Sequence, residues 1–481
     1  MSARRLLLAA SATALLTATS AALPAPAPAT PPGPRDVIVQ LFQWTWPSVA
    51  AECRDFLGPR GFGAVQISPP QEHVVLPGRG YPWWQDYQPV SYRIDNTRRG
   101  DRNAFVNMVN TCHAAGVQIY VDSVINHMTG GASSGPGSAG SSYSHYDYPG
   151  IYQTQDFHHC GRNGNDDIVN YFDRFEVQNC ELVDLADLNT GSTYVRDKIA
   201  GYLNGLLALG VDGFRLDASK HMPAGDIGAI LSRLSRPTYV YQEVIFGAGE
   251  PITPDEYTGN GDVKEFRYGS DLARIFNNER LAFLRTFGSP LPSNKAIVFT
   301  DNHDTQRGGG VLTFRDNGRY ALANAFMLAW PYGSPKLMSS YEFGSNDQGP
   351  PSDSAGRTNP TTCFTGGWRC EHRWQVIANM VAFHNAVRGT PVVGWWDNGF
   401  DHIAFGRGSA GYLVVNDETF AVNGRWYDSS LPAGRYCDVI HGNFSAGTCS
   451  GPTYTVNADG WFQANVAARD AVALHLGARV S

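Results

Sequence analysis

Eight short apolar runs recur along the first three quarters of the chain, at 37–42, 64–68, 118–124, 213–217, 239–244, 262–266, 296–300 and 336–340. Segments with helical periodicity lie between most of them, at 102–115, 194–209, 225–234, 271–280 and 320–330. Strands kept apart by helices form parallel sheets, and eight repeats of this pattern predict a closed (β/α)8 barrel. One interval is too long for a plain crossover, which needs about a dozen residues. Between His127 and Gly213 the chain runs through Gly- and Ser-rich sequence at 130–144, then Cys160 and Cys180. We read 128–189 as a small irregular domain inserted after the third strand, between barrel segments 30–127 and 190–393. After a last helix at 372–387, short alternating runs at 402–406, 412–416, 435–439, 454–456 and 471–476 are separated by Gly, Asn and Pro. They predict an antiparallel β-sandwich domain over 394–481.

The first residues read as an export signal. Arg4 and Arg5 precede the apolar run from Leu6 to Leu16, with small residues at Ala21-Ala22 and again at Ala27-Pro28-Ala29. Cleavage is expected near one of these two places, giving a signal peptide over 1–29. The run is too short to span a bilayer, so a secreted, extracellular protein without a membrane partner is expected. Eight cysteines in an exported chain predict four disulfides. Cys363 with Cys370 and Cys437 with Cys449 pair by closeness, leaving Cys53 with Cys112 and Cys160 with Cys180. A metal site at His158-His159-Cys160 is disfavoured, because partner thiolates with zinc-type spacing are lacking. The net charge of −7 and the lack of a basic stripe exclude a nucleic-acid partner.

The run G-V-D-G-F-R-L-D-A-S-K-H, from Gly210 to His221, sets Asp212, Arg215 and Asp217 into a short buried strand. Side chains two apart share a face, so Arg215 stands beside Asp217 and favours its ionised form. That suits a nucleophile, and it equally suits a structural ion pair. Barrel enzymes place their chemistry at the C-terminal ends of the strands. There the third strand delivers Asp122, Asn126 and His127, the fourth Arg215 and Asp217, the fifth Glu243, and the seventh His303 and Asp304. Packing alone explains so many convergent carboxylates poorly.

D-S-V-I-N-H, G-F-R-L-D-A-S-K-H, the Glu of Y-Q-E-V-I and F-T-D-N-H-D-T-Q-R-G resemble the four signature regions of the α-amylase family of glycoside hydrolases. G-N-G-D-V-K-E-F-R-Y-G and Y-P-W-W-Q-D-Y-Q-P-V-S-Y resemble its animal-type branch, and the leader suggests a bacterial exporter. The resemblance implies Asp217 as nucleophile, Glu243 as general acid and base, and Asp304 as the carboxylate that grips the sugar. Residue chemistry agrees, since retaining hydrolysis needs one ionised and one protonated carboxyl about 5–5.5 Å apart. With no cation adjacent in sequence and two aspartates facing it, Glu243 is expected to hold its proton. The resemblance further implies sugar contacts from Trp83, Trp84, Tyr87, Gln88, His127, Arg215, Lys220, His221 and His303. Trp83, Trp84 and Tyr87 also read, more plainly, as an aromatic cluster packed under a loop.

Oxygen donors implied by the resemblance, namely Asn126, Asp187 and the backbone carbonyls of Gln178 and His221, suit Ca²⁺. A chloride site is implied at Arg215 and Asn302, with Lys336 in the third position. There a lysine either supplies charge to the anion or stands in its place with its own ammonium. The reading as a whole is a monomeric, starch- and maltooligosaccharide-cleaving endo-hydrolase of α-1,4 bonds. A maltogenic amylase or glucanotransferase is the alternative within the class, and a non-catalytic carbohydrate-binding protein the alternative outside it.

Overall fold

The computed structural model describes residues 35–131 and 133–481, so the expected signal peptide lies outside the described residues. Strands β1 (Ile38–Leu41), β2 (Ala64–Ile67), β3 (Gln118–Ser123), β4 (Gly213–Leu216), β5 (Tyr239–Gln242), β6 (Asp262–Lys264), β7 (Ala296–Val298) and β8 (Ser334–Ser339) close into the expected barrel. Every pairing is parallel, and β8 returns to β1 with Ile38 opposite Lys336. The outward residues Val39, Val65, Val121, Phe214 and Leu216 join the large core under the helices. Inward residues make two layers of different character. The lower one is apolar and aromatic, built from Ile38, Ala64, Tyr120, Tyr239, Tyr241 and Ile297. Nearer the C-terminal mouth stand Gln40, Gln66, Asp122, Arg215 and Lys264, all buried.

Gly213 sits in the lower layer, between Tyr120 and Tyr239 on the neighbouring strands. A Cβ there would lie 2.8 Å from the Tyr239 carbonyl oxygen and 2.9 Å from a ring carbon of Tyr120. The missing side chain lets the Tyr120 and Tyr239 rings meet at 5.0 Å across the barrel floor, with Arg215 two residues further along the same strand.

The long interval after β3 folds back on itself. His127–Gly130 pairs antiparallel with Leu185–Asp187, bringing His127 opposite Asp187, and the Cys160–Cys180 disulfide ties the segment between them. The other disulfides join Cys53 to Cys112, Cys363 to Cys370 and Cys437 to Cys449, as paired from the sequence. Beyond the helix Gln375–Val387, strands β9 (Val392–Asp397), β10 (His402–Arg407), β11 (Gly411–Asn416), β12 (Val422–Asp428), β13 (Trp461–Val466) and β14 (Asp470–His475) form an all-β domain. Its four-stranded antiparallel sheet has the order β9-β10-β11-β14, and the β12–β13 pair lies over it. Tyr412, Val414, Val472 and Leu474 from the sheet meet Tyr427, Phe462 and Ala464 from the pair in a separate core.

Adding a methyl at Gly213 must displace backbone or ring atoms that have nowhere to go. Overpacking of this kind costs about 1–3 kcal/mol. G213A should therefore lower the unfolding free energy from urea titration by that amount, and an unchanged value would show that the floor can yield.

Candidate active site

The mouth of the barrel is set by backbone register before any side chain is considered. The Asp217 N–H donates to the Ser123 carbonyl and that of Glu243 to the Leu216 carbonyl, each at 3.0 Å. Both acids thus continue the ladder of the strand before them. Directly after Asp217 the chain turns through Ala218 at φ 47°, a left-handed conformation that costs a non-glycine residue about 1 kcal/mol or more and gathers at functional sites. On the opposite rim the Asn302 carboxamide oxygen accepts the N–H groups of Asp304 and Thr305 at 2.9 and 2.8 Å, fixing the turn that carries Asp304.

Arg215 is fully buried and its guanidinium collects three carboxylates. Nη1 donates to Asp122 Oδ1 at 2.6 Å and also to Asp217 Oδ1, while Nη2 contacts Glu243 Oε1. Asp122 in turn accepts from the Tyr87 hydroxyl at 2.9 Å and from Gln66 at 3.2 Å. Lys264, reaching across from β6, donates from Nζ to Glu243 Oε1 at 2.6 Å. In the free site two cations oppose the protonation expected of Glu243. Two cations outweigh the burial that would raise it, and Glu243 is held well below the ordinary carboxyl range. Asp217 goes the other way. Burial, helped by the charges of Glu243 and Asp122, pushes it up to about 8 against the pull of Arg215. Asp304 rises too, through burial and Glu243, although 39% of its side chain remains exposed. The acids share protons, and the group rather than one member titrates.

Most of the sugar-contact residues expected from sequence line one cavity of about 510 Å³: Trp83, Trp84, Tyr87, His127, Lys220, His221 and His303, with Asp217, Glu243 and Asp304. Gln88 lies in the adjoining cavity, which shares Trp84 and Tyr87, and accepts the Gly130 N–H at 3.1 Å. Arg215 stands beneath the floor and holds the acids. Lys220 is engaged by Glu250 and by the Ile245 carbonyl at 2.8 Å. His127 Nε2 bonds the Tyr87 carbonyl at 2.9 Å, and burial keeps the ring neutral. His303 bonds Gln40 at 2.9 Å through Nδ1, stacks on Phe42 and Tyr87, and has Nε2 3.2 Å from Asp304. Gln40 is held from its other end by Lys336 Nζ at 2.6 Å. Sequence reading missed Gln40, Tyr171 and Glu250, whose strand or loop positions carry no motif of their own, and Lys264, which stands in a quoted run but was given no role.

The donors proposed for a calcium ion fit one. Asn126 Oδ1 is buried without a hydrogen-bond partner. Asp187 is buried and pushed up to about 6, with His158 at 2.7 Å and Asn126 Nδ2 at 3.2 Å. The Gln178 side chain turns away to the Tyr257 hydroxyl, leaving only its backbone carbonyl to serve. His221, from the turn Ser219–His221, bonds the Val177 carbonyl at 3.1 Å, which joins the two backbone segments expected to supply carbonyls. At the residues expected to hold an anion, Asn302 Nδ2 and Arg215 Nε are buried donors without acceptors, and burial, with the charges of Lys264 and Arg215, lowers the pKa of Lys336. A further cluster, His145, Glu181 and Asp184, gathers its ligand atoms within 4.8 Å, with Tyr146 donating to Glu181 at 2.6 Å.

Residues 61–238 match the profile of the alpha amylase catalytic domain, and residues 395–477 that of the alpha amylase C-terminal all-beta domain. The alpha-amylase of Thermomonospora curvata is 56% identical over 465 residues, spanning 94% of this chain and 75% of its own. That of Tribolium castaneum is 46% identical over 93% of this chain and 95% of its own. The crystal structure of alpha-amylase I from Eisenia fetida superposes with a TM-score of 0.88 at 44% identity, over 92% of this chain and 97% of the other, and a mutant of that enzyme has been crystallised with maltohexaose. With a barrel of matching topology and identity of this extent over nearly its whole length, the chain belongs to the α-amylase family.

Proposed function

We propose that the protein is a secreted, endo-acting, retaining hydrolase of α-1,4-glucosidic bonds. As a member of the α-amylase family it is a glycosidase that degrades starch. The observation that carries the finer reading is that Asp217 and Glu243 grip neighbouring nitrogens of one buried guanidinium at the floor of an aromatic-walled cleft. One guanidinium draws the two carboxyls towards the close spacing of retaining glycosidases, where inverting enzymes hold theirs about 6.5–9.5 Å apart.

In the first step Asp217 attacks the anomeric carbon as Glu243 passes a proton to the leaving glucosyl oxygen. In the second, Glu243 takes a proton from water, which displaces Asp217. Asp304, the most open of the three, meets hydroxyls of the bound ring. The indoles of Trp83 and Trp84 with the Tyr87 ring give flat apolar surfaces to sugar faces, and His127, His303, Lys220 and His221 supply polar rims.

Asn126, Asp187 and the carbonyls of Gln178 and His221 would hold calcium, which when bound supplies positive charge that ties the segment after β3 to the barrel mouth. Arg215, Asn302 and Lys336 would hold chloride, and the two unpartnered donors favour the anion over a stand-in ammonium. Four disulfides and the leader-like residues 1–29 support export. Among the described residues, no helix is long and apolar enough to cross a membrane.

E243Q should lower hydrolysis of labelled maltoheptaose by about 10²–10⁴-fold while leaving binding intact, and near-native rates would end the assignment of the acid. EDTA should lower the melting midpoint by several degrees with recovery in excess CaCl₂, because a ligand at a hundredfold over its dissociation constant adds about 2.7 kcal/mol. Activity should fall after exhaustive dialysis into chloride-free buffer and return with NaCl, whereas indifference to chloride would assign the site to the Lys336 ammonium.

A further inference from the structure

Lys264 lies in the G-N-G-D-V-K-E-F-R-Y-G run, outside the four signature regions and with no role read from the sequence, yet it is the second cation on the acid. It is 1% exposed at the end of β6. The pairing of Gln242 with Val263 carries it to the level of Glu243 on the neighbouring strand. Its ammonium lies 4.6 Å from the Phe266 ring centre and 5.4 Å from that of Phe299. In this dry corner Glu243 Oε1 is its charged partner. Oε1 is also the oxygen that meets Arg215. Oε2 has only a long contact, 3.4 Å, from the Ala218 N–H, so it is the oxygen left to face a substrate.

We infer that Lys264 is a positioning residue for proton donation: its ammonium pins one oxygen of Glu243 and stabilises the carboxylate left behind when the other oxygen gives up its proton. The inference rests on Glu243 being the general acid. In that step the Oε2–H bond breaks and the proton joins the glucosyl oxygen as the C1–O pair leaves with it. Asp217 closes the new bond to C1, and Lys264 keeps all its protons. A fixed cation beside the departing proton strengthens the acid. The same cation opposes the microstate in which Glu243 is protonated, so it confines activity to lower pH. The charges around the pair come from every neighbouring strand: Asp122 on β3, Arg215 and Asp217 on and after β4, His303 and Asp304 after β7, and Lys336 on β8.

The test compares K264Q, K264M and K264R with the unaltered protein, using E243Q as reference. Both neutral variants should move the alkaline limb of kcat/KM up by about one pH unit or more. They should also lower kcat at least tenfold on maltooligosaccharides but much less on α-maltosyl fluoride, whose leaving group needs little protonation, with KM nearly constant. K264R should restore the alkaline limb. Limbs that superimpose, or equal losses on both substrates, would reduce Lys264 to a packing residue. Full activity in E243Q would instead remove the acid assignment beneath it. Should the neutral variants fail to fold, the carboxyl carbon of Glu243 in the unaltered protein, assigned by its absence in E243Q, decides the matter. Its titration midpoint should lie below the ordinary 4.5, and a midpoint above that value overturns the inference.

Discussion

One buried guanidinium organises this molecule. Arg215 is completely removed from water, a placement that costs several kcal/mol unless the charge is compensated. Three carboxylates from β3 and from the ends of β4 and β5 surround it, so the cation over-collects negative charge. That surplus couples the acids, so that the charge on each one shifts the proton affinity of the others. Removing Arg215 would leave three acids without a common partner inside a barrel, an effect on folding as much as on chemistry.

Barrels of this kind are normally filled by layers of branched apolar side chains. Here only the lower layer follows that habit. The upper layer is a linked set of amides, acids and amines: Lys336 to Gln40 to His303 on one side, Tyr241 to Gln66 to Asp122 to Arg215 on the other. A buried polar network is tolerable when nearly every member is satisfied. Among the atoms without a partner, Asn126 Oδ1, Asn302 Nδ2 and Arg215 Nε lie where a cation and an anion are expected. The tyrosine floor closes the barrel below this layer, and the absence of a Cβ at Gly213 is the local condition for that closure.

Much of this was legible in the residues. Eight strands were placed to within a few positions because each is an apolar run bounded by helical periodicity, and the acids stood in motifs at the strand ends. The acids' electrostatics were not legible. Lys264 lies 21 residues from Glu243 in sequence, and only the register between β5 and β6 brings them together, so reading neighbours along the chain missed the second cation on this acid. Several edge elements also escaped notice. In β12 the register shifts between Val422 and Arg425, around Gly424, which erases the alternation that marks a strand. Trp395 and Trp396 interrupt the same signal in β9, whose pairing slips between Val393 and Trp396.

The aromatic wall of the cleft is braced from behind. The indole N–H of Trp83 donates to the Asn346 carbonyl at 2.7 Å and that of Trp84 to Asp347 at 3.1 Å, so the turn after β2 is stitched to the loop after β8. The Arg307 guanidinium lies 5.1 Å from the Trp83 ring centre and 4.2 Å from that of Phe343, lending the same wall a cationic backing. Rings fixed this way have surrendered their rotamer freedom when the chain folds, leaving little to lose when a polysaccharide arrives. A surface stiffened in this way selects its ligands by shape, since the rings cannot shift to follow a partner whose curvature differs from theirs.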